Sequence, residues 1–220
     1  MVSFDAVSLF TNVPLKETIE IIADYIYNDK NCCIPIQRPT FTKLMQLATQ
    51  GMFLYKNKLY KQIDGVAMGS PLGPTLANFF LAHIENSILN KHASFHPKIY
   101  ARYVDDIFAT FSDIDSCEKF LDLLNSQHKN IRFTVEKTNN TLPFLDVEIK
   151  MNRFGFSTWT WHKPMYTSLL LNYHAVCPLN WKIGLIKCLL CRAKVICSNS
   201  VLFYKEVDKL LLKIVIQNAF

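Results

Sequence analysis

The stretch YARYVDDIFATF, from Tyr100 to Phe111, places two adjacent acids, Asp105 and Asp106, inside a mostly apolar segment. The apolar residues on either side predict two short β-strands joined by a turn at the acids. An isolated ionised carboxylate in an apolar interior is very costly unless it is paired or binds a metal. The two acids therefore indicate a turn exposed to water, a metal site, or both.

A third acid, Asp5, ends a predicted strand, VSFDAV, near the start of the chain. If that strand neighbours the YVDD hairpin in one sheet, Asp5 and Asp105 converge on the same spot. Carboxylate oxygens together with substrate phosphates are the usual ligands of Mg²⁺, and paired Mg²⁺ ions serve in-line phosphoryl transfer. Adjacent aspartates in a turn are more often solvated turn residues, but the apolar flanks and the second strand-end acid favour a metal site.

The composition is that of a folded chain with a modestly basic surface. Of the 220 residues 50% are hydrophobic and 13% aromatic, and the formal net charge is +6. A sizeable core is therefore expected in one domain or one and a half, and a phosphate-rich partner is compatible with the charge. The sequence shows neither a secretory leader nor an apolar run of about 18 residues, so we expect an intracellular protein without a membrane span.

The seven cysteines do not form a convincing zinc-binding pattern. Cys188 and Cys191 form a single C-x-x-C, with Cys197 nearby, on a predicted helix. A structural zinc site needs four ligands at recognisable spacing. We therefore expect core thiols in a reducing compartment.

The order of strand and helix patterns predicts an α+β fold, with a mainly antiparallel sheet backed by helices and followed by a helical appendage. The predicted elements are a strand at 2–7, helices at 11–29 and 40–51, a hairpin at 52–65, a helix at 75–89, a hairpin at 98–113, a helix at 116–128, strands at 131–138, 143–150 and 156–163, and helices from Pro178. Thr11 or Asn12 is the predicted N-cap of the first helix. A domain boundary is expected near residue 165.

Five blocks of this sequence resemble a reverse transcriptase, specifically the Penelope-like retroelement type. They are FDAVSLFTNVP at 4–14, GVAMGSPLGPTLANFFL at 65–81, YVDD at 103–106, IRFTVEK and LPFLDVEI within 131–149, and WTWHKPMYTSLLLNYHAVCP at 159–178. The blocks stand in the family's order and cover nearly the whole chain. The resemblance implies a polymerase-type palm at residues 1–165 and the start of a helical thumb at 166–220.

The resemblance also implies the chemistry of an RNA-directed DNA polymerase from a retrotransposon. Asp5 and Asp105 are expected to bind two Mg²⁺ ions, with Asp106 as an auxiliary ligand or charge partner. One ion lowers the pKa of the primer 3′-hydroxyl, and the other neutralises charge on the triphosphate. The expected partners are an RNA template, a DNA primer and deoxynucleoside triphosphates, with action in the nucleus.

Further residues receive roles from the same resemblance, each with a plainer alternative. Phe10 is expected to reject ribonucleotides as a steric gate, although without the motif it would be read as core packing. Met68, Gly69 and Ser70 are expected to contact the nucleotide, in a loop that also suits the start of a helix. Met68 stands where many relatives have glutamine.

Basic residues extend the expected set of contacts. Lys137 is a candidate general acid for the leaving pyrophosphate, and a solvated turn charge is at least as good an interpretation. The candidate nucleic-acid contacts of the C-terminal helices, which are alternatively their solvated face, are Lys182, Lys187, Arg192 and Lys194.

Two rival functions remain open at this level. The chain begins directly on the first motif, so we expect the fingers region to be missing and the thumb to be cut short. A truncated, catalytically inactive retroelement remnant that at most binds nucleic acid is therefore the main alternative. A metal-dependent nuclease needs only the three acids, and it leaves Phe10 and the order of the blocks unexplained.

Overall fold

The structure, a computed structural model, describes residues 1–29, 34–89, 96–138, 140–153, 155–165, 171–172 and 174–217, with side chains described as far as 212. The chain forms two compact units. The N-terminal unit is Val2–Glu136, and the C-terminal unit joins Met1 to Lys137–Phe220. The boundary predicted near residue 165 separates the expected palm from the expected thumb and is a different division from that of the two compact units. It stays a prediction.

A four-stranded antiparallel arrangement organises the N-terminal unit. Its strands are β1 (Val2–Ala6), β4 (Ile99–Tyr103), β5 (Asp106–Thr110) and β6 (Phe133–Lys137), in the order β4-β5-β1-β6. Phe4 of β1 lies opposite Ile107 of β5, and both are fully buried. Because side chains alternate along a strand, Asp5 points to the face away from Phe4. The sheet therefore holds its core on one face and the acid on the other.

Among the described residues of this unit, five helices pack around the same core. They are α1 (Leu9–Asn12), α2 (Leu15–Asn28), α3 (Arg38–Ala48), α4 (Gly73–Leu89) and α5 (Ile114–Ser126). The predicted apolar stripe of α4 is confirmed, since Leu76, Phe80, Ile84 and Ile88 are all buried. On α5, Phe120 and Leu124 are buried and the Asp113 carboxylate caps the helix by accepting from the Ser116 N–H at 2.7 Å. The α+β prediction is confirmed.

The predicted N-cap of the first long helix is wrong. Thr11 and Asn12 lie inside the short helix α1, and α2 begins only at Leu15, after Pro14. The cap comes instead from a distant loop, because the Asp64 carboxylate accepts a hydrogen bond from the Leu15 N–H at 3.0 Å. A cap supplied across the fold leaves no local signal in the sequence.

The hairpin predicted at 52–65 is confirmed and is separate from the main sheet. Strands β2 (Met52–Tyr55) and β3 (Lys58–Lys61) pair only with each other within the described residues. The turn residues Lys56 and Asn57 have φ of 47° and 58°, the left-handed pair that two-residue hairpins favour. All residues of both strands are exposed.

In the C-terminal unit, the strand predicted at 143–150 is instead two strands. They are β7 (Thr141–Phe144) and β8 (Val147–Asn152), joined through Leu145, whose φ of 54° reverses the chain. The third strand of this sheet is β9 (Gly155–Thr160), and the helices are α6 (Leu179–Ile196) and α7 (Ser200–Gln217). The end of α6 is fastened to β9, because the Thr158 hydroxyl donates to the Ile196 carbonyl at 2.6 Å.

The expectation of core thiols holds for only part of the cysteines described. Cys117 on α5 is buried, whereas Cys188 and Cys191 on α6 are exposed. The helix α6 buries only Ala193, so a thiol on it meets water rather than a core. Within the described part of the chain, no helix has the combined length and apolar character that a membrane crossing needs.

Candidate active site

Asp5 and Asp105 lie together at the open end of the β1–β5 pair. The Ala6 N–H donates to the Asp105 carbonyl at 3.2 Å, which sets the backbone of the YVDD turn against the end of β1. Partial burial raises the pKa of the Asp5 carboxyl above its usual range, and the negative charge of Asp105 raises it further. The two carboxylates are therefore close enough to repel each other.

Asp106 is placed differently from Asp105. It begins β5, lies opposite Asp5 across the β1–β5 pair and opposite Tyr103 across the β4–β5 pair. Among the residues described, no three His, Cys, Asp or Glu side chains are grouped to hold a metal ion. The charge of Asp105 acts on Asp5, so the candidate site comprises this pair, with Asp106 on the same face of the sheet as Asp5. This hard oxygen set fits Mg²⁺, which proteins commonly bind through one or two carboxylates and substrate phosphates.

The turn that carries Asp105 is strained at its first residue. Val104 has φ of 57°, a left-handed conformation that is rare for a β-branched residue. Such strain persists only where the surroundings fix it, and it is concentrated at functional sites. One support is visible: an Arg102 guanidinium N–H donates to the Val104 carbonyl at 3.0 Å.

Arg102 is the centre of a polar network that connects the turn to helix α4. It donates to Glu85 Oε1 at 2.6 Å and to Asn78 Oδ1 at 2.7 Å, and both acceptors lie on α4. The Tyr100 hydroxyl donates to the same Glu85 oxygen at 2.5 Å. Burial and the negative charge of Glu85 raise the pKa of the Tyr100 phenol.

Sequence reasoning missed this network, and only a weak signal was available. Arg102 is a charged residue within a short, otherwise apolar strand, next to the motif that the two acids mark. Its side chain is 13% exposed and that of Glu85 is 12% exposed, so the pair is largely withdrawn from water. A strand cation with so little exposure needs a partner, but the sequence does not say which acid supplies it.

The glycine-rich loop is attached directly to the segment that follows Asp5. The Val66 N–H donates to the Phe10 carbonyl at 2.6 Å, and Asp64 caps α2 as described above. Gly65 has φ of 76°, and a Cβ there would lie 2.6 Å from the Thr11 carbonyl oxygen. Only glycine allows this approach.

Phe10 lies beside the start of α4. Its side chain is partly buried and packs against the core, and a Cβ on Gly73 would lie 3.7 Å from its ring. The ring, which belongs to the first motif, therefore lies next to the glycine-rich segment at Gly73. Core packing and a role at a nucleotide are both compatible with this position.

Met68 and Gly69 are exposed residues of the glycine-rich loop, and Ser70 beside them is half-buried. The Met68 side chain is 77% exposed. Gly69 has φ of 89°, and a Cβ there would meet no atom within 4 Å. The Ser70 N–H donates to the Ala67 carbonyl at 3.1 Å, which holds the turn. This turn is therefore held by a backbone hydrogen bond and presents Met68 and Gly69 to solvent.

The basic candidates are not gathered in one place. Lys137 ends β6, where the two units join in sequence. On α6, Lys187 and Lys194 are exposed and, seven residues apart, share a face. Arg192 instead forms an ion pair with Asp146 at 3.1 Å. Lys182 is half-buried on the same helix.

The comparison with family models decides the classification. The model "Reverse transcriptase (RNA-dependent DNA polymerase)" matches residues 1–165, three-quarters of the chain. The chain belongs to the reverse transcriptase family. The RNA-directed DNA polymerase class expected from the motifs is thereby confirmed, whereas the Penelope-like subtype is not tested by this match.

Solved telomerase structures show the same fold as this reverse transcriptase. Telomerase from Candida albicans, in complex with a fragment of telomeric RNA, matches with a TM-score of 0.66 and 12% identity over 98% of this chain and 38% of that one. The corresponding complex from Candida tropicalis gives 0.58 and 14%, over 97% and 37%. The chain spans less than two-fifths of these neighbours. No curated protein matches the sequence significantly.

Proposed function

We propose that this reverse transcriptase is the polymerase core of a Penelope-like retrotransposon, which extends a DNA primer on an RNA template with two Mg²⁺ ions. The observation that carries the proposal is the convergence of Asp5 and Asp105 at neighbouring strand ends, with mutual repulsion that a divalent cation would offset. The pair binds a cation most tightly when both carboxylates are ionised.

Metal ions held by Asp5 and Asp105 would supply one kind of chemistry: they would lower the pKa of the primer 3′-hydroxyl and neutralise charge on the triphosphate. The protein supplies the position. Asp5 is held by the sheet. Asp105 is held by a turn whose Val104 carbonyl accepts a hydrogen bond from Arg102. In this proposal both carboxylates are positioned before any substrate binds, which reduces the cost of reorganisation.

The nucleotide occupies the space between Phe10 and the loop at 68–70 in this proposal. The Phe10 ring stands against the sugar and excludes a 2′-hydroxyl, while Gly69 lets the backbone approach the substrate. Lys137 is the proposed general acid for pyrophosphate, with Asp106 as charge partner of the metal site. The α6 cations Lys187 and Lys194 contact the phosphates of template and primer.

Two observations support the wider context. The LPFLD sequence at 142–146 and the AMGSP sequence at 67–71 resemble the Penelope-like type. The telomerase neighbours were solved with an RNA fragment, which suits an RNA template for this chain as well. A retrotransposon enzyme that primes synthesis at chromosomal DNA acts in the nucleus, and we propose that location.

Primer extension tests the proposal. Extension of a DNA primer on an RNA template is measured with Mg²⁺, for the wild-type chain, Asp105→Asn, and the exposed α5 control Asp122→Asn. Because metal catalysis supplies several kcal/mol, Asp105→Asn is expected to lose activity by about 10³-fold or more, and Asp122→Asn to match the wild type.

The assay also separates the alternatives. Absence of extension by the wild-type chain, with retained oligonucleotide binding, would support the inactive remnant. Metal-dependent shortening of the template without extension would support a nuclease. Equal extension by Asp105→Asn and wild type would contradict the assigned metal site.

A further inference from the structure

The β2–β3 hairpin has two faces of different chemistry. Paired residues share a face, and faces alternate along each strand. The register Phe53↔Tyr60 and Tyr55↔Lys58 therefore defines an aromatic face. The register Met52↔Lys61 and Leu54↔Leu59 defines an aliphatic face.

The aromatic face presents parallel rings to solvent. The rings of Phe53 and Tyr60 are stacked, with centroids 5.6 Å apart and planes 14° from parallel. Their side chains are 54% and 43% exposed, and Tyr55, 57% exposed, lies beside Tyr60 with a centroid separation of 6.4 Å. Aromatic rings ordered in this way offer a platform on which nucleobases stack.

The charge of the hairpin is uniformly positive. Residues 51–63 contain Lys56, Lys58 and Lys61 and no Asp or Glu. Lys56 lies over the Tyr55 ring, with its ammonium 5.4 Å from the centroid. Within the described ranges, none of the ion pairs involves these three lysines. Their charge is thus available to phosphates.

We infer that the aromatic face of the β2–β3 hairpin binds a single-stranded polynucleotide, with bases on Phe53, Tyr55 and Tyr60 and phosphates at Lys56 and Lys58. The combination of basic charge with stacked rings is the chemistry of sequence-independent single-strand binding. A duplex keeps its bases stacked inside and offers these rings nothing. The inference rests on the proposed function only in taking a polynucleotide as substrate.

The hairpin also leads directly into the candidate active site. The Gln62 N–H donates to the Gly51 carbonyl at 2.9 Å, closing the hairpin, and the Gln62 side-chain amide donates to the Asp64 carbonyl at 3.0 Å. Asp64 in turn caps α2 through Leu15. The hairpin whose aromatic face would hold the polynucleotide is therefore connected to the same loop that carries residues 68–70.

Binding of labelled oligo(U) and oligo(dT) to the full 220-residue chain, measured by fluorescence anisotropy, tests the inference. The assay contains EDTA and no nucleotides, so it is independent of polymerase activity. Phe53→Leu with Tyr60→Leu removes the rings and keeps apolar bulk, and it is expected to weaken binding about tenfold or more. The matched control, Leu54→Ala with Leu59→Ala on the aliphatic face, is expected to stay within about twofold of wild type.

The lysines give a second, milder test that leaves the strands intact. Lys58→Gln on the aromatic face is expected to reduce the slope of log K against log salt by about 0.7, the value for one phosphate on a single strand. Lys61→Gln on the aliphatic face is expected to leave the slope unchanged. The comparison of oligo(U) with oligo(dT) shows whether the platform prefers RNA or DNA.

Three results would overturn the inference. They are unchanged affinity in the ring variant, an equal loss in the aliphatic control, and equal changes in salt slope for both lysines. Sedimentation of the same variants tests the alternative that the aromatic face binds a protein. If the wild-type chain self-associates and the ring variant abolishes this without changing oligonucleotide affinity, the face is a protein interface instead.

Discussion

Two hairpins of the N-terminal unit have two-residue turns and opposite surroundings. The β4–β5 hairpin turns through Val104 and Asp105, and the β2–β3 hairpin turns through Lys56 and Asn57. The first pairs with β1, buries Ile107 and Ala109, and is braced by Arg102. The second pairs with no other strand among the described residues and exposes both faces.

The two turns differ in how their left-handed backbone conformations are supported. The exposed turn puts two residues in the left-handed conformation, Asn57, which suits it, and Lys56, which adopts it less readily. The YVDD turn puts a β-branched residue, Val104, in that conformation, and its carbonyl accepts a hydrogen bond from Arg102. Both turns therefore hold a residue that rarely adopts this conformation, Lys56 in one and Val104 in the other, and the hydrogen bond from Arg102 to the Val104 carbonyl distinguishes the YVDD turn.

Removal of Arg102 is expected to have the largest effect on stability. Arg102→Gln leaves Glu85 as a largely buried carboxylate without its cation, at a cost of about 3 kcal/mol in the free energy of unfolding. The substitution also removes the support of the YVDD turn, which then resembles the β2–β3 turn. Primer extension should therefore fall together with stability. Denaturant unfolding measures the first effect.

Arg38 provides the control for this prediction. It contacts two carboxylates, Glu20 at 2.9 Å and Asp24 at 2.6 Å, but its side chain is 40% exposed. Arg38→Gln should therefore cost less than about 1 kcal/mol. Equal costs for the two variants would show that the network around Arg102 does not support the turn.

Two glycines of one loop sharpen the comparison next. Gly65→Ala would place a Cβ 2.6 Å from the Thr11 carbonyl, so the loop must move away from α1, at about 2–3 kcal/mol. Gly69→Ala shares the positive φ but meets no neighbour within 4 Å, so only the strain of about 1 kcal/mol applies. Thermal unfolding of the two variants tests the order. A larger shift for Gly69→Ala would contradict the described attachment of the loop.

Asp64 gives a smaller effect at the same junction. Asp64→Ala removes the cap on the Leu15 N–H and is expected to cost about 1 kcal/mol. Asp64→Asn keeps a side-chain oxygen and should restore most of that stability, whereas a purely electrostatic role would not be rescued by Asn. Unfolding midpoints of the three chains make the comparison.

The sequence predicted most of this fold, because local patterns carry its elements. The apolar residues flanking YVDD and the stripe on α4 indicated β5 and α4 correctly, and the motif order indicated the family. The Asp64 cap, the turn at Leu145 and the Arg102–Glu85 pair were missed. The cap and the ion pair depend on contacts between residues far apart in sequence, and the turn depends on a backbone angle that a short stretch of sequence does not specify. In the cap, 49 positions separate Leu15 from Asp64.

The titration of Asp5 gives the smallest and most specific effect. Its raised pKa means that the folded state holds this proton more tightly than the unfolded state does. The resulting contribution to stability is present at low pH and is lost as pH rises through the raised value. Because water screens a group this exposed, the loss should stay below about 0.5 kcal/mol.

The Asp105→Asn variant isolates the second cause of that shift. NMR titration should show a lower Asp5 pKa in the variant, still above the usual range because burial is the larger cause. Addition of Mg²⁺ should lower the Asp5 pKa in the wild-type chain. The same addition should lower it much less in Asp105→Asn, because the ion needs both carboxylates. An Asp5 pKa that ignores both the substitution and the metal would mean that the two acids act separately, and that the braced turn does not aim Asp105 at Asp5.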